Sequence, residues 1–494
     1  MFGMKIEKVK KLENALEVAT TGVRYVFKAQ DNKGVILCYQ RIGKKRLTAT
    51  IILSCSIKDL VIMHKDEDLC ILHKSKPPTE GELKIRINSD SLISLRSGKP
   101  TKVTVKSDVV PEYSAFEGSN FIVIDDFGGI ALYPQPFSAR WAPEASVLSL
   151  KFLKKSWETS VFLEQRQELL ISIFPPRPFD EAKSYRDRIV HPSIKGKPYP
   201  DNQQLKEWSK FGNIFVFHSQ IWRGKYTTKV DVFPETATEG YANAPWASYE
   251  HVLRDEKKFL QAIHTAHKYG MKVLPYMRPL QSCAEGEEFL SQASKVLNKY
   301  PVDGLYLDAN VDNLKDAYIL IKGLRKLLGG KLLYMHMPSP IIGRCYKDGY
   351  YVYEPFIDTY ADYILRSEHM MNFDWHHLRY TISGYNISNA IGFVCNYDYP
   401  PPFVKSIVDK VLLAHAGLPY WPGEWLSALH LRKERDSDDT TEKEIQKIMR
   451  EDYFPKLELA KQGKLSKVSE IAKEGKSFRP PGPNTSIPDF DEDL

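Results

Sequence analysis

The chain has 494 residues, 43% hydrophobic and 27% charged, with a net charge of +7. That length exceeds what one core usually serves, so two or three domains are expected. The positive excess is spread along the chain and forms no stripe, which argues against nucleic acid as a partner, and no stretch is long and apolar enough to cross a bilayer.

The N-terminus, MFGMKIEKVKKLENALEV, lacks the apolar centre of a signal peptide. Six cysteines are scattered without C-x-x-C spacing. This predicts a reducing, cytoplasmic setting and no zinc site. Residues 1–165 read as β. Val23 to Ala29, Val35 to Tyr39, Leu47 to Leu53, Leu83 to Ile87, Thr101 to Val105 and Asn120 to Ile124 are short runs rich in β-branched and aromatic residues. Asp31-Asn32-Lys33-Gly34, Ser97-Gly98-Lys99 and Asp125-Asp126-Phe127-Gly128-Gly129 separate them. The spacing predicts an antiparallel β-sandwich with no catalytic constellation of its own.

Near Gln167 the pattern changes, and strands alternate with helices over residues 166–463. Strand one is expected at Glu168 to Phe174, before Pro175-Pro176-Arg177-Pro178, and helix one at Asp180 to Val190. Strand two, Asn213 to Phe217, ends in His218, and an insertion from Ser219 to about Tyr249 follows. Helix two, Asp255 to Tyr269, is stopped by Gly270. Strand three, Met271 to Pro275, leads to Tyr276 and Arg278. Helix three covers Glu287 to Tyr300. Strand four ends at Asp308, in Val302-Asp303-Gly304-Leu305-Tyr306-Leu307-Asp308. Helix four runs from Asn313 to Leu328, before Gly329-Gly330. Strand five, Lys331 to Met335, ends in His336. Strand six, Asp362 to Leu365, leads to Arg366 and Glu368. Helix six is expected near Trp375 to Ile382. Strand seven, Ala390 to Val394, leads to Asn396 and Asp398. Helix seven covers Phe403 to Ala416. Strand eight, Leu418 to Trp421, leads to Glu424, and helix eight lies within Thr441 to Gln462. Repeats of roughly thirty residues suit βα units, and the order predicts a (β/α)8 TIM barrel. A doubly wound sheet would need a glycine-rich loop where Pro175-Pro176-Arg177-Pro178 stands. Residues 464–494 read as a partly disordered extension.

The expected strand bodies are apolar, and their ends are polar and aromatic. A pocket at the carboxyl face of a barrel has this gradient. His218, Trp222, Tyr276, Arg278, Asn310, His336, Arg366, Asn396, Asp398, Trp421 and Glu424 are the candidate substrate-binding residues. Trp222, Tyr276, Trp421 and Trp425 are candidate stacking rings, and the Ser219 to Tyr249 insertion is a candidate cover for the pocket. Asp308 and Glu368, two strands apart, are the candidate catalytic pair. Carboxyls roughly 5 to 10 Å apart can cleave a glycosidic bond, one as acid and the other as nucleophile or base. A bland role for Asp308 is a helix cap, and for Glu368 an ion pair with Arg366 or Arg379.

A β-sandwich followed by such a barrel, with V-D-G-L-Y-L-D closing strand four and a carboxylate after strand six, resembles a glycoside hydrolase of the retaining α-galactosidase-like clan. The resemblance implies Asp308 as nucleophile and Glu368 as acid/base, although the clan's usual residue after strand six is Asp. Chitinase-like barrels carry D-G-x-D-x-D-x-E on strand four; here Asn310 replaces the terminal acid. Amylase-like barrels carry an Asp after strand four, a Glu after strand five and N-H-D after strand seven; here Asn396-Tyr397-Asp398 imitates the last, but the Glu follows strand six. A carbohydrate substrate is expected, with no cofactor. The alternatives are a non-catalytic carbohydrate-binding protein on the same barrel and a metal-dependent barrel hydrolase using His218, His336, His369 and Asp398.

Overall fold

The computed structural model describes strands between residues 6 and 174 and, beyond them, residues 185–192, 198–222, 251–279, 286–308, 314–336, 360–366, 390–393, 401–413, 416–422 and 439–465. The N-terminal strands form two antiparallel sheets of eight. One runs, neighbour by neighbour, Ile6–Leu12, Ala15–Thr20, Val23–Gln30, Gly34–Arg41, Ala49–Ser54, Thr101–Ser107, Ser156–Leu163, Ser149–Leu153. The other runs Tyr113–Glu117, Asn120–Asp125, Gly128–Pro134, Glu168–Phe174, Leu92–Ser97, Leu83–Ile87, Asp68–His73, Leu60–Lys65. Two hairpins fall where turn residues predict them: Gln30 pairs with Gly34, and Asp125 with Gly128.

The run expected as the first barrel strand lies outside the parallel sheet. Glu168–Phe174 pairs antiparallel with Gly128–Pro134 and Leu92–Ser97, so it belongs to the second of these sheets. Leu169, Leu170 and Ile171 are all buried in succession. Both faces of this strand are covered, which removes the alternation that distinguishes most antiparallel strands.

The parallel sheet begins instead with β1, Ile189–Val190, inside what reads in the sequence as the end of a helix. It continues through β2 (Ile214–Phe217), β3 (Lys272–Met277), β4 (Gly304–Asp308), β5 (Leu332–His336), β6 (Tyr363–Arg366), β7 (Ala390–Phe393) and β8 (Ala416–Gly417), each pairing parallel with the next. A parallel bridge joins Val190 to Tyr420. Tyr420 N–H donates to Ile189 O at 2.8 Å, and His191 N–H donates to Tyr420 O at 2.8 Å. The last strand thereby returns to the first, and the curled sheet resembles a TIM barrel.

α1 (Asn202–Trp208) precedes β2, α2 (Glu256–Lys268) precedes β3, α3 (Gly286–Lys299) precedes β4, and α4 (Leu314–Leu328) precedes β5. α5 (Pro401–Leu413) precedes β8; α6 (Asp439–Ile448), a π-helical turn at Met449–Tyr453 and α7 (Phe454–Lys461) follow it. Helices α2 to α6 stand close to where apolar spacing puts them, whereas α1 stands where no helix is expected from the sequence and the expected helix one ends in a strand. α3 buries Phe289, Ala293, Val296 and Leu297, one stripe of a 3.6-residue period. Asp201 caps α1 in a capping box with Gln204, and Asp255 caps α2 by accepting from Lys258 N. Gly270 and Gly329 close α2 and α4 at φ of 75° and 55°, values glycine adopts without strain. The helix expected near Trp375 to Ile382 and most of the Ser219 to Tyr249 insertion lie outside the described residues.

A repeated device squares the amino ends of the strands. The side chain just before β2, β4 and β6 accepts an amide at the start of the preceding strand. Asn213 accepts from Arg188 N at 2.7 Å, Asp303 from Val273 N at 2.8 Å, and Asp362 from Leu333 N at 2.9 Å. Asp362 also accepts from the buried Arg325 guanidinium of α4 at 2.8 Å. Gly304 follows Asp303 because a Cβ there would lie 2.0 Å from Leu332 O.

Candidate active site

Register places the lumen residues in tiers. Tyr276 lies beside Tyr306, Tyr306 beside Tyr334, and Tyr334 beside Tyr363. Ring centroids are 5.7 Å apart for Tyr276 and Tyr306, and 4.7 Å for Tyr306 and Tyr334. His191, directly after β1, meets Tyr306 edge-on at 4.7 Å and stacks on Trp421 at 4.3 Å. His218, directly after β2, stands 5.3 Å from His191 and 4.9 Å from Tyr276. These rings fill the lumen and make a floor.

Strand side chains repeat every second residue, so the next tier toward the carboxyl ends holds Arg278, Asp308 and His336. Asp308 and His336 are register partners. Asp308 Oδ2 accepts from the Tyr276 hydroxyl at 2.7 Å and from Arg278 at 3.4 Å; Oδ1 accepts from His336 Nδ1 at 2.9 Å. The Asp308 side chain keeps 13% of its surface exposed and Arg278 keeps 16%, whereas His191 keeps none. The carboxylate thus sits at the top of the packed floor and keeps part of its surface exposed.

Burial alone would push the Asp308 carboxyl up. The charge of Arg278, the hydrogen bond and charge of His336 and the Tyr276 hydroxyl outweigh burial and hold it well below the usual carboxylate range. Burial, and then the charge of Asp308, push the Tyr276 hydroxyl well above its usual value, so it stays a donor. Burial, followed by His218 and His336, pushes His191 well below its usual value against a pull from Asp308. His191 is therefore a neutral imidazole at the base of the site.

Of the residues expected from the sequence, His218, Tyr276, Arg278, Asp308, His336 and Trp421 converge on this lumen. Trp222 does not join them. Its ring is fully buried against His251, and its indole N–H donates to Tyr276 O at 2.7 Å. Arg366 closes β6. Asn310, Glu368, Asn396, Asp398, Glu424 and Trp425 lie outside the described residues. Among the described residues, no three His, Cys, Asp or Glu side chains are grouped to hold a metal ion. His191, Tyr306 and Tyr334 are absent from the sequence-derived set. The signal for His191 is slight: two apolar residues, Ile189-Val190, then His191-Pro192.

Solved structures share part of this architecture. The chain is similar to a maltogenic α-amylase from Thermotoga neapolitana at 14% identity and a TM-score of 0.33, covering 48% of this chain and 67% of that one. It is similar to a trehalose-6-phosphate hydrolase from Bacillus licheniformis at 11% identity and a TM-score of 0.31, covering 48% and 64%. It is also similar to a β-L-arabinopyranosidase of glycoside hydrolase family 27 from Geobacillus stearothermophilus at 11% identity and a TM-score of 0.31, covering 57% and 78%. The chain thus spans about two thirds of the length of the first two. No protein-family model and no curated relative matches the sequence. At these scores the likeness is distant, and residue roles rest on the site's own chemistry.

Proposed function

We propose that the chain is a retaining glycoside hydrolase in which Asp308 is the nucleophile and Glu368 the general acid/base. The observation that carries the reading is an ionised carboxylate at the carboxyl end of β4, partly exposed above a floor of packed rings. A nucleophile must be charged at working pH, whereas a general acid must hold its proton. Arg278, His336 and Tyr276 give Asp308 the first environment and deny it the second. The acid must then be another carboxylate, and Glu368 follows the end of β6 by two residues. In the first step an Asp308 oxygen bonds to the anomeric carbon as the glycosidic bond breaks, and the leaving oxygen takes the proton of Glu368. In the second step Glu368 takes a proton from water, whose oxygen displaces Asp308.

His218, Arg278, His336, Arg366, Asn396, Asp398 and Glu424 are proposed to bind sugar hydroxyls, with Asn310 beside the nucleophile and Trp421 as the stacking ring. The two N-terminal sheets, between which the chain passes repeatedly, are proposed to face each other as a sandwich, joined to the barrel between Phe174 and Ile189. Among the described residues no helix is long and apolar enough to cross a membrane. The scattered cysteines support a cytoplasmic setting.

Aryl glycosides of several sugars, with the product anomer followed by NMR, test the reading. Asp308→Asn and Glu368→Gln are each expected to lose at least about 100-fold in kcat. Sugar binding that persists in wild type with no turnover of any glycoside would favour a binding protein instead.

A further inference from the structure

Asp308 accepts from three donors, and they are shared unequally between its oxygens. A carboxylate oxygen has two in-plane lone pairs. On Oδ2 the Tyr276 hydroxyl at 2.7 Å and Arg278 at 3.4 Å take both. On Oδ1, among the described residues, His336 Nδ1 at 2.9 Å takes one. Resting on the reading of Asp308 as nucleophile, we infer that Oδ1 is the attacking oxygen and that His336 is the positioning residue that sets its reactivity.

An ionised carboxylate only accepts, so Nδ1 of His336 carries the proton in this pair. That hydrogen bond does two things. It stops the carboxylate from turning about its Cβ–Cγ bond, leaving the second Oδ1 lone pair in a fixed direction. It also draws charge from the oxygen that must form the new bond. A neutral imidazole draws little, whereas an imidazolium turns the bond into an ion pair and quiets the nucleophile. Activity is therefore lost as pH falls through the titration of His336, while Asp308 stays charged throughout.

Among the described residues, groups on four elements face His336 or act on it. Asp308 on β4 faces it directly, and Arg278 on β3 reaches it through that carboxylate. The Tyr306 ring stacks parallel to it at 6.5 Å. His191, after β1, feels its charge. Leu365 is its register partner on β6.

The test uses a glycoside with a dinitrophenolate leaving group, whose departure needs no proton, so that Glu368 does not shape the acid side of the glycosylation profile. His336→Gln keeps an N–H donor and cannot titrate. It is expected to lose about tenfold in kcat and to lose the wild-type fall in kcat/KM on acidification. His336→Phe is expected to lose about 100-fold in kcat, the range for one oriented hydrogen bond in a site. An unchanged acid limb in His336→Gln, or wild-type kcat in His336→Phe, overturns the inference. The pairing itself is read without turnover: long-range 1H–15N NMR should show a proton on His336 Nδ1 that is lost or exchange-broadened in Asp308→Ala. If that proton is seen but wild type cleaves no glycoside, the hydrolase reading fails and the catalytic role of His336 with it. If wild type is active and the proton sits on Nε2 instead, the inference fails and the hydrolase reading stands.

Discussion

Asp308 combines two properties that normally exclude each other, burial and charge. Three donors from β3 and β5 resolve the conflict, and a parallel register puts them at the same height. Much of this is legible in the sequence, because Y-M-R, Y-L-D and Y-M-H repeat one spacing at three strand ends. A tyrosine followed two residues later by a polar group gives an aromatic tier under a polar one in any strand. His191 shares the pocket but was not legible, since a two-residue strand has no periodicity to read. His251 shows the opposite case, a half-buried titratable group away from the site. Its Nδ1 lies 2.6 Å from Gln292 Oε1, and its ring packs on Trp222 and Phe289. Burial, opposed by the Gln292 bond, lowers it from 6.5 to about 4. The unfolded chain then binds a proton that the folded chain refuses, so stability falls as pH drops from 6.5 toward about 4. Urea unfolding at about pH 7 and about pH 4.5 checks this: wild type should lose more stability between the two than His251→Gln, and equal losses would contradict it.

At the scale of elements, the lesson of Glu168–Phe174 is physical. The run E-L-L-I-S-I-F has the composition of a strand buried on both faces, and parallel barrels are the commonest home for one. Its antiparallel partners lie at Gly128–Pro134 and Leu92–Ser97, tens of residues away, and periodicity carries no trace of pairing. The helices from α2 onward were legible because their stripes, caps and glycine stops are local. The strand-squaring contacts fall between these extremes. Asp303-Gly304 and Asp362-Tyr363 stand at strand starts in the sequence, but their partner amides are set by tertiary pairing. Arg325 adds a buried ion pair to one of them and also donates to Tyr360 O and Lys331 O, tying α4 to β5 and β6. Removing one partner of a buried pair leaves the other charge uncompensated, so Arg325→Ala should cost about 3–5 kcal/mol in denaturant unfolding. The exposed pair of Lys447 and Glu451, 3.9 Å apart, gives the contrast: Lys447→Ala should change stability by less than about 1 kcal/mol. Similar costs for both would mean that burial is not what gives the Arg325 contact its value.

At the scale of the molecule, closure of the parallel sheet is what brings the polar tier together. Residues from β3, β4 and β5 and the residues after β1 and β2 share one lumen because Tyr420 returns to Ile189 and His191. Bonding of Tyr420 to β1 also seats Trp421 on His191. The order from β2 to β7 was legible from the alternation of apolar runs and amphipathic stretches. The seam was not, since it depends on two residues of β1 meeting one beyond β8. As proposed, Asp308 attacks a sugar through a covalent intermediate. Incubation with 2-deoxy-2-fluoro glycosyl fluorides, followed by peptide mass spectrometry, tests it most directly. One sugar adduct per chain is expected on the peptide carrying Asp308, absent in Asp308→Asn; an adduct mapped to any other carboxylate, or turnover of these reagents with no adduct and inversion at the anomeric carbon, would rule out Asp308 as the nucleophile.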